Sequence, residues 1–222
     1  MKILIADDHP IFRSGLKSIL SDNFSNSTII EYGDGQSALE GIRSEMPDIT
    51  ILDINMPVMN GLEVCASVQK ENIQTRVVIL TMYKDAEMLK KAMHLGSSGY
   101  LLKDFATREI IECINSVLSD TKYIGPSLED FYNDFIKEDK KKHDLIELLK
   151  TLSQAELKTL KLVSQNKSTK EIAGLLFLSE KTIENYRSHI CQKLMLPPRN
   201  NSLILWISEH KELLAHISEF EA

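Results

Sequence analysis

The sequence predicts an α/β unit, a doubly wound five-stranded parallel sheet, followed by an all-α unit of helix-turn-helix type. Three observations lead there. Short apolar runs alternate with amphipathic segments through residues 1–120, and Asp7-Asp8, Asp53, Thr81 and Lys103 each stand directly after such a run. Past residue 150 the runs give way to helical periodicity alone.

In chain order, Ile3-Leu4-Ile5-Ala6 is a first strand, apolar at every position as a strand covered on both faces must be. Ile11, Leu16, Ile19 and Leu20 mark the first helix, and Thr28 to Tyr32 the second strand. Ala38, Leu39 and Ile42 give a second helix, Ile49-Thr50-Ile51-Leu52 a third strand, and Leu62, Val64, Cys65 and Val68 a third helix. Val77 to Leu80, Ala86 to Leu95, Tyr100-Leu101-Leu102 and Ile110 to Leu118 complete the alternation. Right-handed crossovers leave few topologies for such a series, and ligands then bind beyond the carboxyl ends of the strands. Tyr123-Ile124-Gly125-Pro126 carries turn residues and Lys137 to Asp144 is a charge run, so residues 121–150 read as a linker with room for a helix. Its Lys140-Lys141-Lys142 triplet is explained by a solvated face.

The second unit, 151–222, opens with Leu157, Leu160 and Val163 on one helix face. Ser168-Thr169-Lys170-Glu171 is a capping box ahead of Ile172, Ala173 and Leu176, and Ser179 is an N-cap candidate for a third helix bearing Ile183, Ile190 and Leu194. Two short helices across a tight turn, the second polar on its outer side, have the form of a helix-turn-helix, and periodicity by itself equally admits an ordinary small helical bundle. Ser202 to Leu214, with Leu203, Leu205, Trp206, Ile207, Leu213 and Leu214, is too apolar for a free tail and is expected to pack in part on the recognition helix.

Composition bounds the function. At 222 residues, 43% hydrophobic and 26% charged, the chain has material for two folded domains and is not of disordered type. No aliphatic stretch is long enough for a membrane span or a signal peptide, so a cytoplasmic protein with no membrane partner is expected. Three widely spaced cysteines suggest reduced structural thiols. Net charge is −6 over residues 1–120, −1 over 121–150 and +1 over 151–222, which gives the two halves different partners.

The strand-end cluster has its own chemistry. Three carboxylates brought together repel unless a cation compensates, and a hard divalent ion such as Mg2+, with its preference for oxygen ligands, is the natural one. Lys103 adds fixed positive charge and Thr81 a hydroxyl, a combination suited to a transferring phosphoryl group, and a carboxylate can itself accept that group. Asp53 is the best acceptor.

Asp7-Asp8-His9-Pro10, Asp53-Ile54-Asn55-Met56-Pro57 with Gly61, Leu80-Thr81-Met82-Tyr83, and Gly96-Ser97-Ser98-Gly99-Tyr100-Leu101-Leu102-Lys103 together resemble the receiver domain of bacterial response regulators. The resemblance covers essentially all of residues 1–120 and implies a flavodoxin-like fold. It also implies phosphoryl acceptance by Asp53 from a sensor histidine kinase and magnesium held by Asp7, Asp8, Asp53 and the backbone carbonyl of Asn55. Thr81 and Lys103 would contact the phosphoryl group, with Thr81 and Tyr100 as the switch pair. His9 beside the acidic pair is explained by a histidine–proline turn, Gly99 and Pro57 by backbone needs. Met82 stands where the family often has a smaller residue, and is expected to cover the site in part.

From Leu152-Ser153 through Ser168-Thr169-Lys170-Glu171-Ile172-Ala173 and Thr182-Ile183-Glu184-Asn185-Tyr186-Arg187-Ser188-His189-Ile190 to Lys193-Leu194, the chain is similar to the LuxR-type DNA-binding domain. The whole then resembles a NarL/FixJ-type response regulator. Asn166 replaces a customary glycine, tolerably because asparagine adopts the left-handed conformation, and Tyr186 replaces a common histidine. Lys181, Thr182, Glu184, Asn185 and Ser188 would read base edges of double-stranded DNA, and Arg187, His189 and Lys193 would meet phosphates. A net +1 is meagre for one copy, so a homodimer on paired half-sites is expected once the protein is phosphorylated. The main alternative is a C-terminal bundle that binds a protein partner. A metabolite phosphatase is weaker, because position 55 is Asn where such enzymes need a second aspartate, so no enzymatic turnover is expected beyond the receiver's own Mg-dependent phosphorylation and dephosphorylation.

Overall fold

The computed structural model describes residues 1–199, 201–211 and 214. Two compact units follow one another, the first ending at residue 136 and the second beginning at 137.

In the first unit β1 (Lys2–Ala6), α1 (Pro10–Asn23), β2 (Thr28–Tyr32), α2 (Gly35–Glu45), β3 (Ile49–Asp53), α3 (Gly61–Lys70), β4 (Arg76–Thr81), α4 (Ala86–His94), β5 (Gly99–Leu102) and α5 (Lys103–Leu118) follow the expected alternation. All strand pairs are parallel, in the order β2-β1-β3-β4-β5-β6. The sheet thus has six strands where five were expected. The extra one, β6 (Tyr123–Ile124), lies in the stretch read from sequence as turn and linker. Two residues show no alternation to read, and β6 exists because Tyr123 and Gly125 donate backbone N–H to Ser98 and Tyr100 oxygens at 3.0 and 2.9 Å.

Alternation along each strand builds two cores. Ile3, Ile5, Ile49, Ile51, Val78 and Leu80 face α1 and α5, while Leu4, Ala6, Leu52, Val77 and Ile79 face α2, α3 and α4. This double burial is why the strands read as continuous apolar runs. Ile11, taken as a core marker of α1, is instead 90% exposed, and the inward stripe is carried by Leu16 and Leu20. Gly99 is required by close approach: a Cβ there would come within 2.8 Å of Cys113 Sγ. The three cysteines are unpaired, and burial raises the thiols of Cys65 and Cys113 to about 11 and about 12.

After β6 come a 3-10 turn (Pro126–Leu128) and α6 (Glu129–Lys150), more structure than a linker requires. The second unit holds α7 (Gln154–Ser164), α8 (Thr169–Leu176), α9 (Glu180–Lys193) and α10 (Ser202–Glu209). Ser168 and Glu171 form the expected capping box, Ser153 and Glu156 form another, and Ser179 caps α9. Asn166 takes the left-handed conformation at φ 60°. Leu157, Leu160, Val163, Ile172, Ile183, Ile190 and Leu194 make the core, joined by Leu203, Trp206 and Ile207 of α10, which packs on α7 and α9. Leu205 points outward, and Leu213 lies outside the described residues.

Candidate functional site

Strand order reverses beside β1, whose carboxyl end adjoins that of β3, and the acidic cluster sits there. Asp7 follows β1 and Asp53 ends β3; both are buried, at 1% and 2% exposure. Thr81 ends β4, and Lys103 opens α5 directly after β5. The Lys103 ammonium is itself buried and stands 2.7 Å from Asp53 Oδ2 and 2.8 Å from Asp7 Oδ2. The Phe12 ring lies under it at 5.0 Å. Burial pushes the Asp53 carboxyl up, aided by Asp7, and Lys103 and the Asn55 amide counter only part of that rise.

Asp8 and His9 complete the cluster from the loop between β1 and α1. Ligand atoms of Asp7, Asp8, His9 and Asp53 all lie within 4.8 Å of one another. Neither Asp7 Oδ2 nor Asp53 Oδ2 makes an aligned hydrogen bond, so their contacts with Lys103 are ion pairs and lone pairs remain available. Three carboxylates with unused lone pairs fit a hard, oxygen-seeking divalent cation, the kind that receiver domains use. His9 does more than turn the chain: its Nδ1 is 2.7 Å from Asp8 Oδ1 and 3.3 Å from Asp7 Oδ1. Asn55 is exposed two residues beyond Asp53. The loop after Asp53 folds back tightly, since Gly61 N–H donates to Ile54 O and a Cβ on Gly61 would clash with the Asp53 carbonyl oxygen.

Thr81 is fully buried and its hydroxyl accepts from Tyr83 N–H at 3.1 Å. Tyr100 is also fully buried, with its hydroxyl out of water and without an aligned hydrogen bond. Burial raises its phenol, helped by Asp85, while the Thr81 hydroxyl opposes the rise. Met82 is half-exposed beside Thr81.

In the second unit Lys181, Glu184, Asn185 and Ser188 form an exposed stripe on α9 at helical spacing, and Gln192 extends it. Gln192 was legible from the same period and was not singled out. Thr182 is not on this stripe. It is half-buried, and its hydroxyl shares a 2.8 Å hydrogen bond with that of the Ser179 cap. Lys193 also has other work: its ammonium binds Glu156 Oε2 at 2.7 Å and the Thr151 carbonyl at 3.1 Å. His189 is exposed, with Nδ1 3.7 Å from Glu156 Oε1, and Arg187 is half-buried. Tyr186 packs against the core of this unit.

Comparison with known proteins places each unit in a family. Residues 3–115 match the response regulator receiver domain, and residues 150–205 match the bacterial regulatory proteins of the luxR family. The oxygen regulatory protein NreC of Staphylococcus carnosus is 33% identical over 199 residues, covering 88% of this chain and 92% of that protein. The transcriptional regulatory protein DegU of Brevibacillus brevis is 30% identical over 216 residues, covering 92% of each. A structure of the RcsB response regulator from Salmonella typhimurium shares the fold, with a TM-score of 0.56, 22% identity and coverage of 94% of this chain and 98% of that one. The chain therefore belongs to the two-component response regulators of the NarL/FixJ type, DNA-binding transcriptional regulators in which a receiver domain precedes a LuxR-type helix-turn-helix.

Proposed function

We propose that this regulator is switched by phosphorylation of Asp53, the phosphoryl group coming from a sensor histidine kinase. The observation that carries the reading is the Asp53 carboxylate, buried at the strand-order reversal between Lys103 and Asp7. Asp7, Asp8, Asp53 and the backbone carbonyl of Asn55 would hold Mg2+. When bound, the ion supplies charge compensation for the carboxylates and for the incoming phosphoryl oxygens. The protein's own groups do the rest. Asp53 attacks phosphorus through a carboxylate oxygen and the donor imidazole of the kinase leaves, which transfers the phosphoryl group without net hydrolysis. Lys103, released from one of its two carboxylates, stabilises charge on the transferred oxygens, and the Thr81 hydroxyl donates to one of them. Thr81 moving toward Asp53 draws Tyr100 with it and biases the surface around α4 and β5.

In functional terms residues 1–120 act as the receiver, 121–150 as the connection and 151–222 as the DNA-binding domain of a cytoplasmic protein. Lys181, Glu184, Asn185 and Ser188 of α9 face base edges, with Asn185 suited to adenine and Glu184 to cytosine. Arg187 and His189 serve backbone phosphates, while Thr182 acts through the helix cap and Lys193 through Glu156. Phosphorylation favours a homodimer on two half-sites.

Incubation with acetyl phosphate and Mg2+, followed by intact mass and peptide mapping, tests the assignment. One phosphoryl group on Asp53, absent in Asp53→Asn, is expected; transfer that persists at another residue in that variant overturns it.

A further inference from the structure

The segment after α5 is built into the receiver. β6 extends the sheet beside β5, with Gly99 opposite Tyr123 and Tyr100 opposite Ile124. Leu128, at the end of the 3-10 turn, is fully buried, and Phe135 on α6 is 7% exposed. With the half-buried Ile124, Phe131 and Tyr132 they close the core that holds Leu89, Ala92 and Met93 of α4 and Tyr100 and Leu102 of β5. Phe135 meets His94 of α4 edge-on at 5.1 Å and stacks near Tyr132 at 6.1 Å, while Lys84 lies 5.4 Å over Phe131.

This cover lies on the α4–β5 surface through which the reading above routes the signal. The Tyr100 ring has no exposed surface, its strand is paired on both edges, and the remaining side is closed by α4 and by the segment itself. A close-packed ring cannot turn outward without displacing a neighbour, so an inward Tyr100 and a docked segment belong to one packing state. Docking is opposed by Glu109 on α5. Its Oε2 is buried without a hydrogen-bond partner, and a Cβ on Gly125 would stand 2.9 Å from it. Removing water from that oxygen costs free energy, which works against the docked state.

We propose that residues 123–136 form a strap whose docking on the α4–β5 face reads out phosphorylation: a phosphoryl group on Asp53 holds the strap down, and its loss lets the strap go. The proposal rests on Asp53 as acceptor and on the Thr81–Tyr100 coupling. It differs from those in making the connection between the units, and not the receiver surface alone, the moving part.

The test is hydrogen exchange of the full-length protein with Mg2+, with and without beryllofluoride as the phosphoryl mimic, read by peptide mass. Amides in peptides spanning residues 123–136 are expected to exchange more slowly by about tenfold when the mimic is bound, an ordinary size for coupling between two sites. Linkage is reciprocal, so Phe135→Ala and, as a milder variant at a half-buried position, Phe131→Ala should weaken beryllofluoride binding, by up to the same roughly tenfold coupling factor. Strap exchange that is unchanged or faster while peptides around Thr81 and Lys103 become protected overturns the strap and leaves Asp53 as acceptor. Unaltered beryllofluoride affinity in both variants overturns it equally. Absence of protection at Thr81 and Lys103, together with no mass gain from acetyl phosphate, overturns the acceptor assignment and the strap with it.

Discussion

Val58, in the loop that follows Asp53, is 83% exposed and holds φ at 67°, a left-handed conformation that a β-branched side chain tolerates poorly. Such strain costs about 1–3 kcal/mol, more than the roughly 0.5–1 kcal/mol that a glycine forfeits in unfolded-state entropy. Val58→Gly should therefore stabilise the receiver by about 1 kcal/mol, seen as a higher urea midpoint with an unchanged slope; a lower midpoint would mean that the valine makes a compensating contact. Met82 argues in a different direction. It is half-exposed next to the buried Thr81, and if its side chain covers the proposed phosphoryl site, Met82→Ala should shorten the life of the Asp53 phosphoryl group in a time course of intact mass. An unchanged decay would show that the side chain shields nothing. At this scale the sequence was most legible where function depends on strand ends. Asp7, Asp53, Thr81 and Lys103 could be placed because each follows an apolar run, and the structure does bring the carboxylates and the lysine within ion-pair distance. It was least legible where a partner lies far along the chain. Lys193 was expected at a DNA phosphate, and nothing in its neighbourhood announces its additional ion pair with Glu156, 37 residues away.

The contact between α7 and α9 turns on that glutamate. Glu156 is buried, closes the capping box with Ser153, and receives the Lys193 ammonium at 2.7 Å. Burial works to raise its carboxyl, but the bonds from Lys193 and Ser153 outweigh burial and hold it below the ordinary carboxylate range. A carboxyl depressed in the folded state contributes stability that is present above its unfolded pKa and lost as pH falls through the folded one. The second unit should therefore weaken as pH drops below about 4.5, and Glu156→Gln should flatten that dependence. The same substitution should cost about 1–3 kcal/mol at neutral pH, because it leaves Lys193 without its charged partner. Trp206 is the chain's one tryptophan and is buried in α10, so its fluorescence reports both effects; a pH profile shared by wild type and variant would remove Glu156 as the cause. Elements with a strong period or a cap were readable in advance, including the helix-turn-helix and the left-handed Asn166. The 22-residue α6 was only half seen, because its apolar residues fall in two groups, in the first turns and in the last, with a run of charge between them. The two residues of β6 carry no period at all, and only backbone pairing with β5 makes them a strand.

Over the whole molecule, charge sets how DNA can be held. Residues 151–222 carry a net +1, and two of their lysines have carboxylate partners within the unit, Lys193 with Glu156 and Lys181 with Glu184 at 3.4 Å. Counterion release scales with the phosphates neutralised, so one copy on one half-site should bind weakly and with a shallow dependence on salt. Specific affinity then has to come from two copies, the second binding at the effective concentration set by the first, which can strengthen the pair by roughly 10²–10⁴-fold without any new contact to DNA. Gel-shift titration of the phosphorylated protein on an inverted repeat with half-sites about one helical turn apart should be cooperative. Deleting one half-site should lose affinity by that large factor, not by two. Shifting the spacing by half a turn should do nearly the same damage, because the second copy then faces the wrong side of the duplex. If the single half-site binds almost as well as the pair, each copy acts alone, and the thin charge of α9 must be supplemented by contacts outside this helix.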